Sequence, residues 1–171
     1  SADKEEGVRT MTAECLGSLS CLQPSELLPQ LKELASKHSG KTLNEEASED
    51  DKEGAKKDAL LCWTVATSIK FAIAGSIDPD QLSPFLPTFL HLLKEDDTAV
   101  KNAALLMVYS AVHHKPQLVT GLMHEHILPS LYELAQLNMK RVVDLGPFKH
   151  TVDDALPLRK SALSIFSTCL E

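Results

Sequence analysis

The sequence lacks most of what a membrane protein, a nucleic-acid reader or a common enzyme would need. No apolar run approaches the roughly 20 residues of a membrane-spanning helix, and the first residues do not show the charged-then-apolar layout of a signal peptide. A soluble, intracellular protein is expected, with no membrane partner. Basic charge is scarce, with 17 Lys and Arg against 24 Asp and Glu for a net charge of -7. Phosphate backbones are bound by clustered cations on one face, so no nucleic acid is expected as a partner. Gly-rich phosphate loops, His-Glu-x-x-His and Gly-x-Ser-x-Gly are absent, which removes the commonest sequence routes to an enzyme. No catalytic residue and no cofactor are expected.

Cysteine is thinly spread. Cys15, Cys21, Cys62 and Cys169 show neither zinc-site spacing nor the density of a secreted disulfide scaffold, and read as reduced, mostly buried thiols. No base is paired with Cys15 or Cys21, so neither reads as a nucleophile. The histidine pairs His113-His114 and His124-x-His126 would point to different faces of a helix, and no metal site is expected. Trp63 reads as part of a helix core and not as a ligand cage.

What the sequence does contain is repetition. Leu28-Pro29-x-Leu31, Leu86-Pro87-x-Phe89 and Leu128-Pro129-x-Leu131 each head an apolar helical stretch. The last two lie 42 residues apart, inside the roughly 40 to 47 of HEAT and armadillo units. Between the first two, 58 residues apart, an insertion of about sixteen residues is needed to restore that period. Residues 39–54, crowded with Glu45, Glu46, Glu49, Asp50, Asp51 and Glu53, supply it and read as an acidic, disordered loop.

A second series of helices alternates with the first, marked by Val8-Arg9, Val100-Lys101 and Leu158-Arg159. Their apolar stripes follow the helical period: Val8, Met11, Cys15, Leu16 and Leu19; Ala59, Cys62, Trp63, Ala66, Ile69 and Ile73; Val100, Ala103, Ala104, Met107, Val108 and Ala111. Gln23-Pro24, Asp78-Pro79 and Lys115-Pro116 punctuate the starts of first helices, and residues 95–98 read as a tight turn ending in an N-cap. Pro29, Pro87 and Pro129 should start or kink their helices. The fold expected is all-α: a right-handed HEAT-repeat solenoid of antiparallel helix pairs over residues 1–171, with units near 3–22 (partial), 24–76, 78–114 and 116–171 (partial). Patterns that open and close inside helices predict a piece of a longer protein.

Val100 and Leu158 are again 58 residues apart, which calls for a second insertion. In residues 139–154, MKRVVDLGPFKHTVDD, the helical spacing disappears. Val142, Val143, Thr151 and Val152 are β-formers flanking the turn signal Gly146-Pro147, so a short β-hairpin is predicted. An isolated hairpin is only marginally stable, and loops on rigid scaffolds carry binding. The competing expectation is that the hairpin folds back over the solenoid ridge.

The run from Val143 through Asp154, VDLGPFKHTVDD, followed by Leu158-Arg159-Lys160-x-Ala162, resembles the signature segment of the cullin-associated, neddylation-dissociated family. Glu6-Gly7-Val8-Arg9 with Ala13-Glu14-Cys15-Leu16-Gly17 resembles a second family segment, so the likeness spans nearly the whole chain. Two departures stand out: Ala155 where the family pattern suggests Gly, and an acidic run longer than the family usually carries. The resemblance implies a non-enzymatic exchange factor, cytoplasmic and nuclear. It would bind the N-terminal region of a cullin within an unmodified cullin-RING ligase, compete with substrate-receptor adaptors, and so regulate ubiquitin-ligase assembly. It also implies partner-contact residues in the hairpin: Arg141, Val143, Asp144, Leu145, Pro147, Phe148, Lys149 and His150, with Gly146 shaping the backbone. The alternative is a generic HEAT interaction scaffold of transport-receptor or phosphatase-scaffold type.

Arg9, Lys101, Arg159 and Lys160 stand near helix starts, where the macrodipole disfavours cations. Two explanations remain open at this point: an acidic partner, or an internal ladder with Asp96, Asp97 or Asp154.

Overall fold

A computed structural model of the chain describes residues 2–40, 48–144 and 149–169. Four long helices set the architecture: α1 (Ala2–Leu22), α3 (Glu49–Ala74), α6 (Thr98–His114) and α9 (Leu156–Cys169), with α2 (Pro24–His38) between the first two. The remaining first-helix segments are broken, as α4 (Pro79–Leu82) and α5 (Leu86–Leu90), then α7 (Gln117–Thr120) and α8 (Leu128–Gln136). A 3-10 turn follows α5 and a π turn precedes α8. The long helices form a row in which α3 lies between α1 and α6, and α6 between α3 and α9, while α2, α5 and α8 back them. This is a HEAT-like helical solenoid, and its core is one continuous seam from Leu28 and Ile69 through Phe89 and Met107 to Leu131 and Ile165, all buried.

The proline positions explain the broken helices. Pro87 and Pro129 occupy the first turns of α5 and α8, where a missing N–H is an orphan anyway. Pro29 behaves differently and sits inside an uninterrupted α2, which Pro24 starts. Before α6 the N-cap is Asp97, whose Oδ1 accepts from the N–H groups of Ala99 at 2.9 Å and Val100 at 3.0 Å.

The stripes of α3 and α6 are inward as the period predicts, although Trp63 and Ala59 are only half-buried. The stripe of α1 is not. Val8, Met11, Cys15 and Leu19 are exposed and Leu16 is half-buried. The buried face is Ala13, Gly17 and Ser20 instead, because small residues let two helices approach closely. A Cβ on Gly17 would lie 2.5 Å from the Ser68 carbonyl oxygen and 2.8 Å from the Phe71 Cβ. Contact distance, not side-chain bulk, selects the packed face of α1.

The expected acidic loop is also shorter than the composition suggests. Residues 41–47 lie outside the described residues, but Glu49 onward is helix. Ser48 closes a capping box with Asp51, the Asp51 N–H donating to Ser48 Oγ at 3.2 Å and the Ser48 N–H to Asp51 Oδ2 at 3.1 Å. The Ser48 hydroxyl bond holds the Asp51 carboxyl below its usual range. Glu49, Asp50 and Asp51 therefore stand in the first turn, where the positive end of the helix favours carboxylates.

The cysteines need a correction as well. Cys62 alone is buried; Cys21 is half-buried, its Sγ 3.6 Å from the Ala72 carbonyl oxygen, and Cys15 and Cys169 are exposed. Cys15 followed the exposed face of α1. His113 stacks on Tyr109 with ring centroids 6.2 Å apart. Among the described residues, no helix is long and apolar enough to cross a membrane, and no three His, Cys, Asp or Glu side chains gather as metal ligands.

Candidate functional site: the rooted hairpin

Where the helical period fails after α8, the chain forms β1 (Lys140–Asp144) and returns as β2 (Lys149–Asp153). The strands are antiparallel, with Lys140 opposite Asp153, Arg141 opposite Val152, Val142 opposite Thr151, Val143 opposite His150 and Asp144 opposite Lys149. Alternation along a strand puts Arg141, Val143 and Val152 on one face and Val142 with Thr151 on the other. Val143 and Val152 are half-buried, whereas Val142 is 64% exposed and Thr151 is exposed. Of the residues singled out from the sequence, Leu145, Gly146, Pro147 and Phe148 lie outside the described residues. Asp144, Lys149 and His150 are placed by their backbone in the ladder.

The hairpin is fastened at its root. Arg159, in the first turn of α9, donates from one guanidinium nitrogen to the Leu137 carbonyl oxygen at 2.8 Å and from the other to Asp153 Oδ2 at 2.7 Å. Leu137 leads into β1 and Asp153 ends β2, so one planar fork ties both legs to the helix. Asp153 Oδ1 in turn accepts from the Ala155 N–H at 3.1 Å, and the Asp154 N–H donates to the Met139 carbonyl oxygen at 3.1 Å. The Arg159 hydrogen bond, with smaller help from the Ala155 N–H, holds the Asp153 carboxyl below the usual range against a desolvation effect that pushes it up. Ala155, at the position where Gly was expected, is fully buried.

Arg141 crosses to Asp154, its Nε 2.6 Å from Oδ2, but its side chain is 63% exposed. Pairs of that exposure contribute little to stability.

The helix-start cations divide. Arg159 is committed to Asp153 and the backbone rather than to Asp154 or to a partner. Asp97, one of the acids expected to answer them, caps α6. Among the described residues no carboxylate lies within 4.0 Å of Arg9, Lys101 or Lys160. Sequence reasoning missed Asp153 and the clamping role of Arg159. Both residues were visible in the Asp153-Asp154 to Arg159 spacing, but which aspartate would turn toward the arginine depends on the strand register.

Comparison with known proteins agrees with this architecture. The family described as "TIP120: TATA-binding protein interacting (TIP20)" matches residues 118–171, which include the hairpin and α9. The chain is 37% identical over 171 residues to Cullin-associated NEDD8-dissociated protein 1 of Drosophila melanogaster, an alignment covering 98% of this chain and 12% of the relative. It is also 37% identical over 172 residues to Cullin-associated NEDD8-dissociated protein 2 of Mus musculus, with the same coverage. Against the protein of Emericella nidulans named "Cullin-associated NEDD8-dissociated protein 1, C-terminal part" it is 32% identical over 173 residues, covering 98% of this chain and 15% of that one. The chain thus spans about an eighth of the length of the full relatives, and it corresponds to the C-terminal part of the cullin-associated NEDD8-dissociated family.

Proposed function

We propose that the chain is a cullin-binding scaffold segment of a non-enzymatic exchange factor. It engages the N-terminal region of the cullin in an unmodified cullin-RING ligase and competes there with the substrate-receptor adaptor, regulating ubiquitin-ligase assembly in cytoplasm and nucleus. The observation that carries this reading is similarity along 98% of the chain to proteins named for cullin association. The hairpin supports it, because a strand pair with an exposed face and a root tied into a helix is a rigid presenter of binding groups. Its contact residues are Arg141, Val143, Asp144, Leu145, Pro147, Phe148, Lys149 and His150, with Gly146 shaping the connection.

The test is equilibrium binding to an unmodified cullin N-terminal domain, with and without adaptor. Wild type is compared with a variant in which residues 141–152 are replaced by a Gly-Ser linker that leaves Asp153 for Arg159. Adaptor-sensitive binding that the replacement abolishes is the expected result. Binding that the replacement leaves intact would move the contact off the hairpin, and an absence of binding would leave a generic interaction scaffold.

A further inference from the structure

We infer that Arg159 is a positioning residue for partner binding: it touches no partner itself, but fixes the angle at which the hairpin leaves α9 and so sets what fraction of the molecules can dock. The inference rests on the cullin reading above and adds to it a residue outside the contact face.

A projecting element is held at its angle by packing or by directed bonds, and at this root packing is thin. The two strands pack chiefly on each other. Beside the fork an open cleft of about 180 Å³ is lined by Gln136, Leu137, Asn138, Lys140, Asp153 and Arg159, so side chains do not wedge the hairpin on that side. The angle is left to hydrogen bonds. Among the described residues most of these stay within the hairpin and the residues just after it: the Asp154 N–H donates to the Met139 carbonyl oxygen, Arg141 reaches Asp154, and the Ala155 N–H donates to Asp153 Oδ1. Those of Arg159, to the Leu137 carbonyl oxygen at 2.8 Å and to Asp153 Oδ2 at 2.7 Å, are the ones that reach the body of α9.

The other end of that fastening is rigid. Leu158 and Ala162, on either side of Arg159 in α9, are buried in the seam, and α9 packs on α6 and α8. Arg159 therefore passes the position of the core to the hairpin. It has little left for a partner: its side chain is 25% exposed, Asp153 is 15% exposed, and both terminal guanidinium nitrogens are engaged. Without the fork the hairpin can swing, and only the molecules caught at the right angle bind. The apparent dissociation constant then rises by the inverse of that fraction.

Binding kinetics separate positioning from contact. A residue that touches the partner holds the complex together, so its loss speeds dissociation, whereas a smaller competent fraction slows association and leaves dissociation alone. Wild type, Arg159→Lys, Arg159→Gln and Asp153→Asn are compared for binding to an unmodified cullin N-terminal domain, with Phe148→Ala as the contact control. All three root variants should associate about tenfold more slowly and dissociate at the wild-type rate, and the lysine that keeps the charge should fare no better than the glutamine. Helix content and melting temperature should stay at wild-type values, because the fork's bonds run to the hairpin's legs and not into the seam. Asp153→Asn weakens the same fastening from the strand side and supplies the answer should an Arg159 variant fold poorly. The inference is overturned if the folded root variants associate as fast as wild type, or if the loss appears in the dissociation rate, which would make Arg159 a contact residue. It is also overturned if affinity falls only together with the melting temperature. An absence of wild-type binding removes the cullin reading and this inference with it, while wild-type binding that the hairpin replacement abolishes and the root variants keep removes this inference alone.

Discussion

Arg159 and Asp153, six positions apart in sequence, meet at 2.7 Å where the hairpin joins α9. The other guanidinium arm holds the Leu137 carbonyl oxygen at 2.8 Å, so the two chain segments that enter and leave the hairpin share one fastening. The strands otherwise contact chiefly each other. A hairpin alone is marginal in water, and its persistence here depends on that root.

Arg159→Lys should therefore fail to preserve the root. An ammonium is a point charge on a flexible stem and cannot span a carbonyl and a carboxylate in the fixed plane that a guanidinium provides. Amide hydrogen exchange in Lys140–Asp144 and Lys149–Asp153 should quicken by about tenfold, with α3 and α6 amides unchanged. Equal protection in the variant would assign the root to the Arg141–Asp154 pair and the backbone bonds.

Acid should release the same root. The folded Asp153 carboxyl titrates below its usual range, so it binds a proton less readily than in the unfolded chain, whose reference is about 3.9. Its stabilising contribution is complete above that unfolded value and is lost as pH falls through the lower folded value. Hairpin protection followed from neutral pH to about pH 2 should decline only in that acid window. In Asp153→Asn, the decline should be largely flattened and the starting protection lower.

The helical order and the place of the hairpin were legible because each rests on a local rule. Leu-Pro-x-apolar headings, a 42-residue spacing and the loss of helical period after Asn138 need no knowledge of neighbours. The packed face of α1 was not legible in the same way. Val8, Met11 and Leu19 make the more apolar stripe, yet Ala13, Gly17 and Ser20 are the buried residues, with Gly17 against Ser68 and Phe71 of α3, because the choice depends on how closely the second helix can come. Asp153 was hidden for a related reason: of two adjacent aspartates, the β2 register turns one to Arg159 and leaves the other for Arg141. The acidic run misled through composition, since carboxylates that read as a solvated loop also suit the first turn of α3.

Two glycines of α1 should respond oppositely to alanine. At Gly7 an added Cβ meets nothing within 4 Å, so Gly7→Ala should stabilise by up to about 1 kcal/mol through helix propensity alone. At Gly17 the same methyl group would meet the Ser68 carbonyl oxygen at 2.5 Å, and separating α1 from α3 should cost about 1 to 3 kcal/mol. Thermal unfolding of the two variants checks both signs, and a Gly17→Ala protein as stable as wild type would show that α1 can slide without loss.

Phe148→Ala and Met107→Asp separate binding from folding. Met107 is completely buried in the seam between helices, and a carboxylate there has no partner, so the substitution should cost several kcal/mol or unfold the stack. Circular dichroism and melting temperature read that directly. Phe148, the aromatic residue of the strand connection, should act at the level of the partner. Its removal should cost on the order of 2 kcal/mol in cullin affinity if it is an anchor, while leaving helicity and melting temperature at their wild-type values. The two readouts must diverge for Phe148 to be the hairpin's anchor: a Phe148→Ala protein that melts early would make that ring part of the solenoid's own packing, and one that binds normally would leave the affinity to the strands and to the Arg141 face.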